Sequence, residues 1–281
     1  QRVNIVAHIR QSRTTMKSLT PKKLLLLSLL SAALLSLGWV CISGFTLLVA
    51  LVPLLIISRN YSGSARDTVK VALWAALTFI LWHIATTWWV SNAAAIGTIA
   101  ATLIGSWWCL LPFTLFHIVS KRMSKGVAYT LLVAAWIGCE YIYIKAPAMS
   151  FPWLTLGNGF AFDTWAVQWY EYTGVLGGSL WVLTTNIVIF EALRSKRWFA
   201  PVATIALPLI VSLILYSVNS PEKERYTSRT TVNVAAIQPN VDCYEKFNGS
   251  EAEQQRSLIR LLQQAPTDSA TFILIPETAL A

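Results

Sequence analysis

Apolar residues in this chain fall into long, nearly uncharged runs, not the alternation of a half-buried strand or the spaced stripe of a surface helix. The first run lies between Lys23 and Arg59 and holds 35 uncharged residues. As one helix it would extend about 52 Å, well beyond a hydrocarbon core of roughly 30 Å. Both its ends are basic, so an even number of crossings is expected, and Gly38 with Ser43-Gly44 offers a turn. The pattern therefore predicts short helices at 24–40 and 45–58. Further spans are predicted from Val71 to Val90, Ala93 to Val119, Val127 to Ile144, Tyr172 to Phe190 and Trp198 to Val218. The sum is a polytopic α-helical bundle of about seven spans.

After Val218 the pattern changes. Thr231-Val-Asn-Val-Ala-Ala-Ile237 alternates and is rich in β-branched residues, as a strand does. Ser250 to Gln264 carries Leu258, Ile259, Leu261 and Leu262 among charges, with Ser250 as N-cap and Glu253 three residues on, which predicts a helix. Thr271-Phe-Ile-Leu-Ile275 is a continuous apolar run suited to a buried strand. Strand, helix and strand open an α/β layer. Two strands cannot bury a core alone, and no turn, linker or polar terminus follows Glu277 before Ala281. The tail therefore reads as unfinished, and the sequence as a truncated copy.

Composition sharpens this picture. Of the 281 residues 55% are hydrophobic and 12% charged, against roughly 25% charged in a soluble domain. A soluble globule, a disordered chain and a disulfide scaffold are excluded. The net charge of +9 would suit nucleic acid, but the 22 Lys and Arg sit in loops. Six precede Leu24, and Arg59, Arg66 and Lys70, then Lys121, Arg122 and Lys125, then Arg194, Lys196 and Arg197 occupy three short connections. Short basic loops between apolar spans set orientation and lack the clustered face of a nucleic-acid site. They put residues 1–23 and these connections in the cytoplasm and the chain after about residue 219 outside. Four parts follow: 1–23 basic and cytoplasmic, 24–218 transmembrane, 219–230 linker, and 231–281 an incomplete outer domain. Residues 24–30 begin a first transmembrane helix in preference to a signal peptide, since no small-residue cleavage site follows. Met16 is a candidate start, with residues 1–15 upstream of it.

Candidate chemistry is sparse. Glu277 stands at the carboxyl end of the second tail strand, where catalytic groups of open α/β folds gather; without a partner such a Glu is more often a solvated loop residue. Glu140 lies near the outer end of a span, and a charge at that depth is a functional candidate. Between spans, 145–171 carries Phe151, Trp153, Phe160, Phe162, Trp165, Trp169 and Tyr170, which composition alone assigns to an aromatic belt at headgroup depth. Pro147, Pro152, Gly157 and Gly159 exclude one continuous helix there. Cys41, Cys109 and Cys139 sit in or beside apolar spans as small hydrophobes. Cys243 lies beside Asp242 and Glu245, which oppose thiolate formation. No spacing suggests a metal site, and no cofactor is expected. His83 and His117 read as polar residues facing other helices or the interface.

Taken in order, Ala135-Trp-Ile-Gly-Cys-Glu140, Phe151-Pro-Trp-Leu-Thr-Leu-Gly157, Gln238-Pro-Asn240 with Lys246-Phe247, and Ile275-Pro-Glu-Thr-Ala279 resemble bacterial apolipoprotein N-acyltransferases. The resemblance covers roughly residues 22–281. It implies a helical bundle in the bacterial inner membrane followed by a periplasmic nitrilase-like (carbon-nitrogen hydrolase) domain, of which 231–281 is the start. It implies transfer of an acyl chain from a phospholipid, usually phosphatidylethanolamine, to a cysteine thiolate, and from that thioester to the amino terminus of a diacylglyceryl-cysteine apolipoprotein. Glu277 would be the general base, while the lysine and nucleophilic cysteine of the family have no counterpart in these residues. Phe247 stands where the family usually has Trp and would contact lipid, as would Trp153, Phe151 and Glu140. A membrane-tethered amidase acting on a soluble substrate is the alternative among enzymes. A transporter would show inverted repeats or paired charges inside spans, and neither is found; a simple anchor would need no Pro-Glu-Thr after a buried strand.

Overall fold

A computed structural model describes residues 19–40, 43–92, 94–146, 150–218, 232–241, 250–265 and 270–276. The chain divides into two compact units, one of Gln1–Trp88 with Thr98–Val218 and one of Trp89–Gly97 with Asn219–Ala281.

The first unit is helical. Helix α1 (Pro21–Leu37) starts where the Thr20 hydroxyl accepts the Lys23 N–H at 3.4 Å and Pro21 supplies a first residue with no N–H to satisfy, and it stops at Gly38. The next apolar stretch is broken into a 3-10 turn at Gly44–Thr46, α2 (Leu47–Ala50) and α3 (Val52–Asn60). Backbone groups freed by a break cannot find water in hydrocarbon, and Asn186 from another helix supplies partners. Its Oδ1 accepts from the N–H groups of Leu51 (2.7 Å) and Val52 (3.1 Å). Its Nδ2 donates to the carbonyls of Leu47 (2.7 Å) and Val182 (2.8 Å). The Ser31 hydroxyl donates to the Ala50 carbonyl at 2.5 Å.

Helices α4 (Ala65–Thr87), α5 (Ala95–Ser120), α6 (Lys125–Lys145), α7 (Tyr170–Ser195) and α8 (Phe199–Val218) follow. These five, α4 continuing to Asn92, are long and apolar enough to cross a membrane; Gly44–Asn60 is a shorter apolar stretch. Several start earlier than the apolar runs. Helix α4 begins six residues before Val71 because Ser64 caps the Asp67 N–H at 3.2 Å, so its first turns carry Arg66, Asp67 and Lys70. Helix α7 bends at Gly174, whose φ of 64° favours glycine.

Polar pairs join the helices. Thr78 donates to the Ser28 carbonyl at 3.2 Å between α4 and α1, a contact of the kind that holds helices together where burial from water is not available. Aromatic rings fill the centre: Phe79 meets Trp136 edge-on at 5.7 Å and Phe113 at 6.3 Å. The outer surface is apolar too, with Leu26, Leu73, Leu103 and Leu207 each more than half exposed. Such a surface suits lipid and not water. His83 and His117, the two described histidines, are buried. His117 bridges Ser58 Oγ (2.9 Å) and the Ser62 carbonyl (3.0 Å), and His83 meets the Phe79 carbonyl at 2.8 Å.

In the second unit, β1 (Val234–Ala236) and β2 (Phe272–Leu274) pair in parallel, with Ala235 opposite Ile273, and α9 (Glu251–Gln264) connects them. The predicted strand-helix-strand order is present, with both strands trimmed. Two details differ from expectation. Ser250 occupies the N-cap position of α9 without a side-chain bond. Phe272, Ile273 and Leu274 are exposed, not buried, because one helix cannot cover both faces of a two-stranded pair.

Candidate functional site

The loop from Ser150 to Trp169 is a string of 3-10 turns at Pro152–Leu154, Leu156–Phe160 and Thr164–Ala166. Proline and glycine rule out a long helix here, and side chains from the surrounding helices hold the turns in place. Glu140 of α6 is the first fastening. Its Oε1 accepts the backbone N–H of Leu156 at 2.9 Å and the indole N–H of Trp136 at 3.1 Å. Oε2 is buried and makes no hydrogen bond within 3.5 Å to any described residue. This carboxylate borders a cavity of about 20 Å³ shared with His83, Cys109 and Phe151, space on the scale of a single water.

Asp163 is the second fastening. Its Oδ2 accepts the Gly44 N–H (2.7 Å) and the Ser43 hydroxyl (3.0 Å), tying the loop to the start of the broken helix. Gly157 is held from both sides, its N–H donating to Ser179 Oγ (3.1 Å) and its carbonyl accepting from Tyr170 OH (2.9 Å). The approach is close enough that a Cβ on Gly178 would collide with the Tyr170 hydroxyl and the Gly157 backbone. Ser212 of α8 donates to the Ala166 carbonyl at 2.7 Å, and Trp39 donates its indole N–H to the Trp153 carbonyl at 3.2 Å.

With its backbone fastened, the loop sorts its side chains into two sets. Leu154, Leu156, Phe160 and Ala166 are buried in the bundle, Phe160 stacking on Trp181 at 5.0 Å. Trp153, Phe162 and Trp165 point out, 50%, 62% and 45% exposed. Trp153 and Phe162 border a cleft of about 360 Å³ with Gly38, Trp39, Asn158 and Ala161. The arrangement is an apolar platform whose backbone is fastened at several points by side chains of the bundle. A uniform aromatic belt is therefore too simple a description: eight of the 20 residues from 150 to 169, Phe160 among them, are buried.

The predicted residues separate accordingly. Glu140 and Phe151 line the small cavity, and Trp153 lies on the outer cleft. Glu140 holds the Leu156 backbone N–H. Glu277 and Phe247, with Cys41 and Cys243, lie outside the described residues. Cys139 is buried and Cys109 half-buried, both as free thiols. Sequence reading missed Asp163, Ser179, Trp39 and Asn186, and singled out Tyr170 only as one ring of the aromatic loop. Asn186 had a signal, as a lone amide within an apolar run; the others are ordinary polar residues until the loop packs on them.

Comparison with known proteins agrees with the resemblance. The model of the apolipoprotein N-acyltransferase N-terminal domain matches residues 28–188, more than half of the chain. A protein named apolipoprotein N-acyltransferase from Chlorobaculum tepidum is 29% identical over 238 residues, covering 83% of this chain and 44% of that protein. Its namesake from Gloeobacter violaceus is 27% identical over 262 residues, 86% of this chain and 47% of that one. The Geobacter metallireducens protein of that name is 26% identical over 187 residues, 63% and 35%. The chain spans about half the length, or less, of the curated relatives it matches. With its matched bundle and Phe-Pro-Trp loop, this chain belongs to the apolipoprotein N-acyltransferase family.

Proposed function

We propose that this chain is the membrane part, and the start of the catalytic domain, of an enzyme that N-acylates the diacylglyceryl-cysteine terminus of apolipoproteins. The observation that carries this reading is the fastened loop. A protein that handles phospholipid at the membrane surface needs apolar rings held rigidly outward, and Trp153, Phe162 and Trp165 are held so by acceptors and donors drawn from α6, α7 and α8.

The chemistry divides into two displacements. A cysteine thiolate attacks an ester carbonyl of the donor, with phosphatidylethanolamine the foremost candidate, and a lysophospholipid alkoxide leaves with a proton from the general acid. The free α-amine of the apolipoprotein then attacks the thioester, the C–N bond forms as the C–S bond breaks, the amine proton passes to the general base and the thiolate departs. Glu277 is the proposed base, taking the thiol proton and returning it to the leaving oxygen. The parallel β1–α9–β2 order supports this role, since position 277 follows the carboxyl end of β2 in sequence. Phe247 is proposed to pack on a lipid chain. The lysine and nucleophilic cysteine of the reaction are not assigned to any of these 281 residues.

The proposed topology has seven crossings, α1 and the broken α2–α3 stretch supplying two short ones, in a bacterial inner membrane. The amino terminus is cytoplasmic and the chain after about residue 219 is a periplasmic nitrilase-like domain. Single-cysteine labelling at Lys196→Cys and at Thr271→Cys in intact cells tests this: reagent reaching position 271 alone supports it, and reagent reaching 196 alone overturns it.

The activity test uses the whole protein encoded by the gene. Phosphatidylethanolamine and a diacylated lipopeptide should yield a triacylated product by mass spectrometry, and Glu277→Gln should abolish it. Hydrolysis of small amides with no lipopeptide acylation would favour the amidase instead. The 281-residue chain alone is expected to give no product.

A further inference from the structure

At the end of the bundle away from the loop, four cations from four segments converge on one cavity of about 210 Å³. Arg59 comes from the end of α3, Lys121 from the turn after α5, Lys125 from the start of α6 and Arg194 from the last turn of α7. The floor is apolar, formed by Leu55, Phe116 and Phe190. The space far exceeds the roughly 15 Å³ that one water needs.

One carboxylate serves this cluster. Glu191 pairs with Lys125 at 2.9 Å and with Arg194 at 3.0 Å, and also accepts from Tyr129 OH at 2.6 Å. Lys121 donates to the Ser58 carbonyl at 3.0 Å. The Arg59 guanidinium, half-buried, makes no hydrogen bond to any described residue and feels Glu191 and Arg194 only as nearby charges. A guanidinium that borders an apolar cavity without a hydrogen-bonded anion is an unusual arrangement, because its five donors match phosphate or carboxylate oxygens.

Depth identifies the anion. Lys125 and Glu140 lie 15 positions apart on α6, about 22 Å along the axis, so the cavity sits across most of a hydrocarbon core from the fastened loop. Basic side chains at helix ends lie at headgroup level, and basic pockets between membrane helices receive lipid phosphates. The apolar floor suits the first carbons of an acyl chain, and a zwitterionic headgroup would bring its ammonium against the cationic rim.

We propose that this cavity is a binding site for an anionic phospholipid, its phosphate received by Arg59 and the surrounding cations and its glycerol-acyl junction by Leu55, Phe116 and Phe190. The site is separate from the acyl-donor platform and independent of the proposed reaction.

The test is native mass spectrometry of the 281-residue chain in detergent, titrated with phosphatidylglycerol or with phosphatidylcholine of matched chains. Phosphatidylglycerol should be retained at least tenfold more tightly. Arg59→Gln should weaken retention about fivefold, Glu191→Gln should strengthen it by releasing Lys125 and Arg194, and Arg66→Gln, on the exposed turn outside the cavity, should leave it unchanged. The opposite signs of the Arg59 and Glu191 variants separate binding from misfolding; should Arg59→Gln not fold, the gain from Glu191→Gln decides. Equal retention of the two lipids, or no difference among the three variants, overturns the proposal. Displacement of the lipid by equimolar inorganic phosphate also overturns it, since the site would then take a bare anion.

Discussion

The two ends of the bundle use charge in opposite ways. At the loop end, Glu140 and Asp163 point inward and are consumed by backbone N–H groups of Leu156 and Gly44. At the basic end, Glu191 pairs with exposed or half-exposed Lys125 and Arg194 side chains beside an open cavity. A buried carboxylate with backbone donors shapes a loop, because removing it strands those donors away from water. A carboxylate among solvent-exposed cations contributes little to folding, which leaves its neighbours available to a ligand.

The largest effect should come from the break that lies between these ends. Asn186→Leu strands the Leu51 and Val52 N–H groups in an apolar surrounding, and thermal unfolding in detergent should show a loss of about 4 kcal/mol. Glu140→Ala should cost about 3 kcal/mol and open the 150–169 loop to protease, with Glu140→Gln recovering part of the loss because the amide oxygen still accepts. Asp163→Ala removes one backbone and one hydroxyl partner at a more open position and should cost about 2 kcal/mol. Glu191→Gln at the opposite end should change stability by under about 1 kcal/mol. A Glu191 variant as damaging as the Glu140 variant would remove the contrast between the ends. Trp153→Ala should be smallest in stability, within about 0.5 kcal/mol, yet should raise the KM for donor lipid several-fold in the whole enzyme with kcat little altered.

Much of the architecture was legible in the runs of apolar residues. Length alone divides 24–58 in two, and the helices α1 and α2–α3 lie there, because no single helix of 35 residues fits a bilayer. Alternation located β1, helical spacing α9 and a continuous apolar run β2, since strand and helix impose different spacing on the same apolar residues. Boundaries were harder to read. Caps such as Ser64 and Ser124 carry helices into charged segments that hydropathy assigns to loops.

The site was legible only in part. Glu140 was visible as a charge inside a span, and the Phe151–Tyr170 segment as an aromatic cluster. Which rings face out and which face in could not be read, since Phe160 and Phe162 differ by two positions yet are 1% and 62% exposed. Hydropathy gives both the same weight, and the turns between them have no fixed period.

The sequence by itself determined that the chain belongs in a membrane, which connections carry the positive charge, and that a parallel strand-helix-strand unit follows the bundle. Those properties reside in composition and spacing, which local geometry and transfer from water dictate. Only the tertiary structure decided that Asn186 repairs a broken helix 135 positions away in sequence, that Glu140 and Asp163 fold a loop, and that Arg59, Lys121, Lys125 and Arg194 meet around one cavity. Hydrogen bonds and charge clusters between distant segments depend on how helices are placed beside one another, and no local pattern encodes that placement.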